Sequence, residues 1–123
     1  KKIYFAKKYK KKSIEIWGSG NPRREVIFVD DIANACVFFM NRKTKETLIN
    51  IGSGKDMKII EYTKIITKFF NLKEKIKKNK NMPDGIKRKL LNINVARSYG
   101  WKPKYSFKKG LDLTIKDYIK NFG

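Results

Sequence analysis

No histidine occurs in the 123 residues, and only one cysteine, Cys36. The first absence excludes a Ser-His-Asp triad, a Cys-His pair and any histidine-based metal site within the chain. The second excludes an internal disulfide framework and fits a reducing compartment, so the cytoplasm is the expected location. Apolar runs are short, as in Val37-Phe38-Phe39-Met40. No stretch is long enough to cross a bilayer and no signal-peptide pattern precedes a cleavage site, so no membrane partner is expected. Alanine occurs four times, and only five of the thirty-one basic residues are arginine.

Lysine makes up the difference. Against eleven acidic residues the chain carries a formal charge of +20, a value that ordinarily suggests nucleic acid. Lysine, isoleucine and asparagine are abundant together while alanine is scarce, which is the skew an AT-rich genome produces whatever the function. The lysines are also spread along the chain rather than gathered in a stripe. The charge is therefore read as codon usage and solvated surface, and nucleic acid is not the expected partner. Hydrophobic residues make up 41% of the sequence, enough for folding, and the length suits one modest domain.

Strand and helix patterns alternate. Residues 1–12 read as a basic helix with Ile3, Tyr4 and Ala6 as apolar contacts. Ile14-Glu15-Ile16 and Val26-Ile27-Phe28-Val29 read as short strands. Asp30 or Asp31 can cap a helix over 32–42, whose Ile32, Ala35, Cys36, Phe39 and Met40 share one face, so Cys36 is expected to be buried. Leu48-Ile49-Asn50-Ile51 reads as a strand, and 58–70 as a helix striped with Ile59, Tyr62, Thr63, Ile66, Phe69 and Phe70. Both helices are expected to pack on strands 26–29 and 48–51. Residues 71–91 look irregular, with 71–81 a loop. Asn92 can cap a short helix that Gly100 ends, with Trp101 packed on that turn, and Ser106 can cap a final helix. The class is α/β.

The chemistry concentrates in Trp17-Gly18-Ser19-Gly20-Asn21-Pro22-Arg23-Arg24-Glu25. An aromatic plane, a tight turn and two guanidinium groups suit a ligand with both a ring and phosphates. Two glycine motifs fail as phosphate loops. In Gly52-Ser53-Gly54-Lys55 the first P-loop glycine would fall at Ile49 and the hydroxyl residue at Asp56. In Gly18-Ser19-Gly20 the third glycine of a dinucleotide fingerprint is replaced by Arg23. Asp30-Asp31 is accounted for by helix capping and the helix dipole rather than by paired-carboxylate chemistry.

Three pieces recur in a familiar order: Trp17 to Asp31, then Asn50-Ile51-Gly52-Ser53-Gly54, then Pro83-Asp84-Gly85 through Lys89-Leu90-Leu91. Over nearly its whole length the chain resembles the extended short-chain dehydrogenase/reductases that remodel nucleotide-linked sugars. The first and third pieces together are similar to the GDP-L-fucose synthase family. That resemblance implies a Rossmann-type fold of which residues 1–123 are the C-terminal, nucleotide-sugar-binding domain. It implies that Trp17 and Arg24 contact the nucleotide-sugar, with Lys2 and Lys75 placed similarly. Some positions depart from the family pattern. Ile86-Lys87 replaces Thr-Pro, Lys58 and Asn92 replace a hydroxyl and an acidic cap, and lysine at 2 and 75 loses the arginine fork.

The resemblance also implies parts that have no counterpart here: a glycine-rich NADP loop, a Ser/Tyr-x-x-x-Lys centre, and cysteine and histidine acid/base groups. Tyr4 and Lys8 have the Tyr-x-x-x-Lys spacing, but on the basic first helix. The implied partners are a GDP-linked keto-sugar, an N-terminal half that binds NADP, and a second subunit in a homodimer of the intact enzyme. The implied reaction is 3,5-epimerisation and 4-reduction of GDP-4-keto-6-deoxymannose to GDP-L-fucose, with no catalytic, cofactor-binding or metal-binding residue in this chain. Alone it is expected to catalyse nothing. The alternatives are a relative acting on a GDP-linked deoxyheptose or colitose precursor, or a basic nucleic-acid module. The last would interleave exposed aromatics with lysines, whereas most aromatics here fall on helical stripes.

Overall fold

The computed structural model describes residues 1–73 and 75–122. In chain order the elements are α1 (Lys2–Lys8), β1 (Ser13–Trp17), β2 (Arg23–Glu25), α2 (Val29–Met40), β3 (Asp56–Lys58), α3 (Ile59–Phe69), β4 (Lys75–Asn79), β5 (Arg88–Lys89), α4 (Asn94–Ser98) and α5 (Phe107–Phe122). Helices and strands are mixed, as the α/β reading requires. The chain divides into two compact units. One joins Lys1–Arg24 to Met57–Lys89, and the other joins Glu25–Asp56 to the segment from Leu90 onward.

In the first unit, β1 forms because Ile14 and Ile16 alternate with Glu15 and Trp17. The isoleucines are buried, and the other two side chains face out. Its partner is β4, parallel and in register from Ser13↔Lys75 to Trp17↔Asn79. This corrects the loop expected over 71–81. Ile76 is the only apolar residue in Lys75-Ile76-Lys77-Lys78-Asn79, and it pairs with Ile14. A strand with one apolar residue gives no periodic signal, so the pairing is long-range in origin. The first helix is also shorter than expected. Lys10 adopts a positive φ of 47°, and the Lys11 amide returns to the Ala6 carbonyl at 2.9 Å, closing the helix as glycine usually does.

Helix α3 begins where the backbone prepares a start. The Ile59 and Ile60 amides donate to the carbonyls of Pro22 and Gly20, both at 3.0 Å, so two first-turn donors are satisfied. The Glu61 carboxylate accepts from the Lys58 amide at 2.7 Å. This is half a capping box, because the Lys58 ammonium has no acceptor to return. At the other end Phe70 is buried and meets Tyr4 edge-on, 6.2 Å between ring centres. The three-stranded sheet runs in the order β3-β2-β5.

The second unit is built around Ala35, Ala96 and Trp101, with Ile27, Phe38, Phe39, Ile49 and Ile51 packed against them. Gly100, at φ 86°, lets the Trp101 amide reach back to the Ala96 carbonyl at 3.0 Å. That geometry ends α4 and delivers the indole to the core. Ser106 caps α5 as expected, its hydroxyl accepting from the Lys109 amide at 3.3 Å. The cap of α4 is Ile93 rather than the expected Asn92, which stands one residue before it and accepts from the Asn94 amide at 3.0 Å.

Three expectations are corrected here. Residues 26–29 and 48–51 belong to no strand among the described residues, and Val29 already lies in α2. Their branched side chains favour extended backbone, but a strand also needs a neighbouring ladder. Asp31 is not the cap, which is Phe28. It is 1% exposed, and its carboxylate accepts from the Lys104 amide at 2.7 Å and the Tyr105 amide at 3.3 Å. Cys36 is exposed rather than buried. The inward face of α2 runs through Asp31 and Ala35, which turns Cys36 outward beside Val29, Val37 and Met40, exposed by 68%, 60% and 83%.

Candidate functional site

Trp17 ends β1 with its ring 58% exposed, because the odd positions of that strand face away from Ile14 and Ile16. The Lys2 ammonium, carried by α1, stands 4.9 Å from the ring centre. A cation over an exposed indole is worth about 0.5–1 kcal/mol. Gly18 follows at φ 65°, its amide donating to the Asn79 carbonyl at 2.9 Å. The turn therefore continues the β1–β4 ladder before reversing.

A latch holds that turn. Asp84 accepts from the Ser19 amide at 2.5 Å and from the Ser19 hydroxyl at 2.7 Å. These two bonds, the hydroxyl first, hold the Asp84 carboxyl below the usual aspartate value, and the positive charge of Lys78 adds to the effect. A Cβ at position 18 would collide with the Asp84 carboxylate, so the close approach requires glycine there. Beside the latch is an open cavity of about 390 Å³ lined by Gly18, Ser19, Lys78, Lys80, Met82, Pro83 and Asp84.

Past the turn the chain enters β2, which pairs in parallel with β5 as Arg23↔Arg88 and Arg24↔Lys89. Directly paired residues share a face, so Arg24 and Lys89 lie together on one side, and Arg23 and Arg88 on the other. Like charges placed opposite each other destabilise a sheet unless something neutralises them. An anion with several oxygens would do so. Arg24 is pre-aimed: its Nη1 donates to the carbonyls of Arg23 and Ile86 at 2.8 and 2.7 Å. The Tyr62 hydroxyl holds the Arg24 carbonyl at 2.9 Å. A planar guanidinium fixed in this way suits a diphosphate.

Trp17 and Lys2 are thus brought together, and Arg24 is joined by Lys89. Lys75 is not: it pairs with Ser13, about 13 Å along the ladder from the Trp17 level at the usual strand rise. Arg88 and Lys89 stand opposite Arg23 and Arg24 only through strand pairing, and two basic residues in a lysine-rich stretch carry no local signal of it. Tyr4 and Lys8 meet with the Lys8 ammonium over the ring, 5.8 Å from its centre. Among the described residues, no group of three or more histidine, cysteine, aspartate or glutamate side chains could hold a metal ion. No helix there is long and apolar enough to cross a membrane.

The second glycine turn is filled from within. The Glu25 carboxylate accepts from the Gly54 amide at 2.6 Å, the Ser53 hydroxyl at 3.2 Å and the Leu91 amide at 3.0 Å. The donors that a phosphate would need at Ser53-Gly54 serve Glu25, as those of Ser19 serve Asp84.

Comparison with known proteins gives a consistent picture. The model of the NAD dependent epimerase/dehydratase family matches residues 2–52. GDP-L-fucose synthase 1 of Arabidopsis thaliana is 38% identical over 88% of this chain and 33% of its own length. GDP-L-colitose synthase of Yersinia pseudotuberculosis is 34% identical over 97% of this chain and 39% of its own. The crystal structure of a GDP-6-OMe-4-keto-L-xylo-heptose reductase from C. jejuni superposes with a TM-score of 0.81. It is 32% identical and is matched over 95% of this chain and 38% of that one. The chain spans a little over a third of the length of such curated relatives.

Proposed function

From a chain that belongs to the NAD dependent epimerase/dehydratase family, we propose the nucleotide-sugar-binding, C-terminal part of a GDP-sugar epimerase/reductase. The reaction we assign to the intact, cytoplasmic enzyme is conversion of GDP-4-keto-6-deoxymannose to GDP-L-fucose. The observation that carries this reading is the basic ladder Arg24↔Lys89 in the same unit as the exposed Trp17 ring. The ladder can take the diphosphate and the ring can take the base, with the Lys2 ammonium adding charge beside it. Binding and orienting the sugar nucleotide is the whole of this chain's share. NADPH would supply the hydride. Because the Ser19 and Gly54 amides already serve Asp84 and Glu25, its site is assigned to the N-terminal part of the protein, with which α2 would pack through Val29, Val37 and Met40. A homodimer is proposed for the intact enzyme.

NADPH oxidation by the intact protein, measured with GDP-4-keto-6-deoxymannose, tests the assignment. Turnover of that substrate, and none with its UDP counterparts, is the expected result. Failure to bind any nucleoside diphosphate would refute the reading. The second reading within the class is a reductase acting on another GDP-linked keto-sugar, which the likeness to the heptose reductase and the colitose synthase supports. Turnover of a GDP-linked heptose or colitose precursor in preference would select it. A nucleic-acid role is not favoured, and duplex DNA should not compete for GDP.

A further inference from the structure

We propose that the lysine-rich turn closing α1, residues 7–12, is a docking surface for an anionic phospholipid bilayer, on which the intact protein rests without crossing it. The lysines are spread along the sequence, but folding divides them unequally. The unit that joins Lys1–Arg24 to Met57–Lys89 holds twenty basic and four acidic residues, a net +16. The other unit holds eleven and seven, a net +4. Codon usage would act on both alike, and isoleucine and asparagine, which share the AT-rich skew, total thirteen in each unit. Lysine does not follow them: seventeen stand in the first unit and nine in the second. The excess needs another cause.

Its densest part lies at the far end of the ladder from Trp17. Lys7-Lys8-Tyr9-Lys10-Lys11-Lys12 is exposed at every position, and no acidic residue precedes Glu15. Lys10, at φ 47°, and the Lys11 amide on the Ala6 carbonyl fold it into a defined turn. The Ser13↔Lys75 rung adds a further lysine next to its end. Aromatic groups accompany the charge. Tyr9 is 62% exposed and stacks on Phe5, with ring centres 5.6 Å apart. The Lys7 ammonium over the Phe70 ring ties the turn to the end of α3, where Phe69 is 40% exposed. A bilayer with acidic headgroups answers both features, since its surface potential holds lysines and its interface takes aromatic rings. Nucleic acid fits less well. Its phosphates favour arginine forks, and the three arginines of this unit all lie in β2 and β5. The shortness of the apolar runs bears on spanning a membrane, not on resting at its surface.

The test is co-sedimentation of the intact protein with vesicles of phosphatidylcholine alone, or mixed with phosphatidylglycerol at about 2:1. Binding is expected with the mixed vesicles only, and should fall away as salt is raised to roughly 0.5 M. Each lysine near an anionic surface contributes roughly fivefold in partition, so Lys10→Gln, Lys11→Gln and Lys12→Gln together should cost on the order of a hundredfold. The same loss of charge in the other unit, through Lys102→Gln, Lys104→Gln and Lys108→Gln, should cost less than about twofold. Unchanged melting temperatures show that both variants are folded. If the first triple variant does not fold, Tyr9→Ser, which leaves the charge untouched, must weaken binding several-fold. No binding to the mixed vesicles, equal binding to phosphatidylcholine, or equal loss in both triple variants would overturn the proposal. Duplex DNA that binds through the same three lysines and displaces the vesicles would overturn it in favour of nucleic acid.

Discussion

Arg24 and Lys89 are direct partners across two parallel strands, so two positive side chains occupy neighbouring places on one face of the sheet. Under the function proposed above, the diphosphate of the GDP-linked sugar is their counter-charge. Arg24→Ala should raise KM for GDP-4-keto-6-deoxymannose on the order of tenfold or more, from the loss of charge-assisted hydrogen bonds of about 1.5–3 kcal/mol each. Lysine at 24 should rescue only part of this, since it lacks the fork. Lys89→Met should act in the same direction and flatten the dependence of KM on salt. Steady-state kinetics at two ionic strengths decide it. A change confined to kcat would place the anchor elsewhere.

Trp17→Ala should also weaken substrate binding, with a smaller effect on NADPH, whose site is assigned outside this chain. Lys2→Met should weaken it less, because an exposed cation–π contact is worth about 0.5–1 kcal/mol. Binding isotherms for GDP and NADPH compare the two variants. A loss confined to NADPH would count against the proposed arrangement.

Glu25 ties the Ser53-Gly54 turn and Leu91 to the end of β2 through three accepted bonds. Glu25→Gln keeps the shape but loses the charge and one acceptor, and should lower stability by about 1.5–3 kcal/mol. Urea unfolding reads this directly. Gly52→Ala should be as harmful, because its Cβ would come within 2.5 Å of Glu25 Oε1.

Acid should release the Ser19–Asp84 latch. Its folded value lies below the usual aspartate value of 3.8, mainly through the Ser19 hydroxyl bond. A depressed carboxylate contributes stability that is present above its unfolded value and is lost as pH falls through the folded one. The pH dependence should therefore lie below about pH 4. Asp84→Asn should remove that share of it, as measured by acid titration of the two proteins.

Helix α2 makes a prediction about the chain alone. With Val29, Val37 and Met40 exposed beside Cys36, the isolated chain should react at Cys36 as readily as a free thiol and be prone to aggregate. In the longer protein the thiol should be protected and the melting temperature higher. Equal reactivity in both would show that α2 does not pack on the remainder.

The helices were the legible part of the fold. The places of α2, α3 and α5, the cap at Ser106 and the stop at Gly100 are local signals readable from spacing, whereas the inward face of α2 is not, since Met40 on its expected stripe is 83% exposed. What depended on distant partners was not. Lys75-Ile76-Lys77-Lys78-Asn79 looks like a solvated loop until Ile76 is set against Ile14. Conversely, Val26–Val29 and Leu48–Ile51 have strand composition but no ladder among the described residues. At the site, Trp17 and Arg24 stood out because aromatic, glycine and arginine are rare neighbours here. Lys89 did not, because its significance comes from the residue across the sheet. Cys36 was misread by a single helical step, since the face of α2 that turns inward is decided by Ala35 and Asp31.

Ser19 and Asp84 are 65 positions apart in sequence, yet they close one turn of one unit. Between them the chain leaves that unit, contributes Glu25–Asp56 to the other, and returns. A ribosome making this polypeptide therefore releases Trp17 and its turn long before their partners exist. Local helices such as α2 can form on emergence, whereas the β1–β4 ladder must wait for Asn79 and bear the entropy of closing a long loop. During that interval Ile14, Ile16 and the Trp17 ring have no strand to cover them. Slow codons or a stall between residues 25 and 75 would prolong that exposure and divert nascent chains to aggregation, without altering one contact of the finished protein.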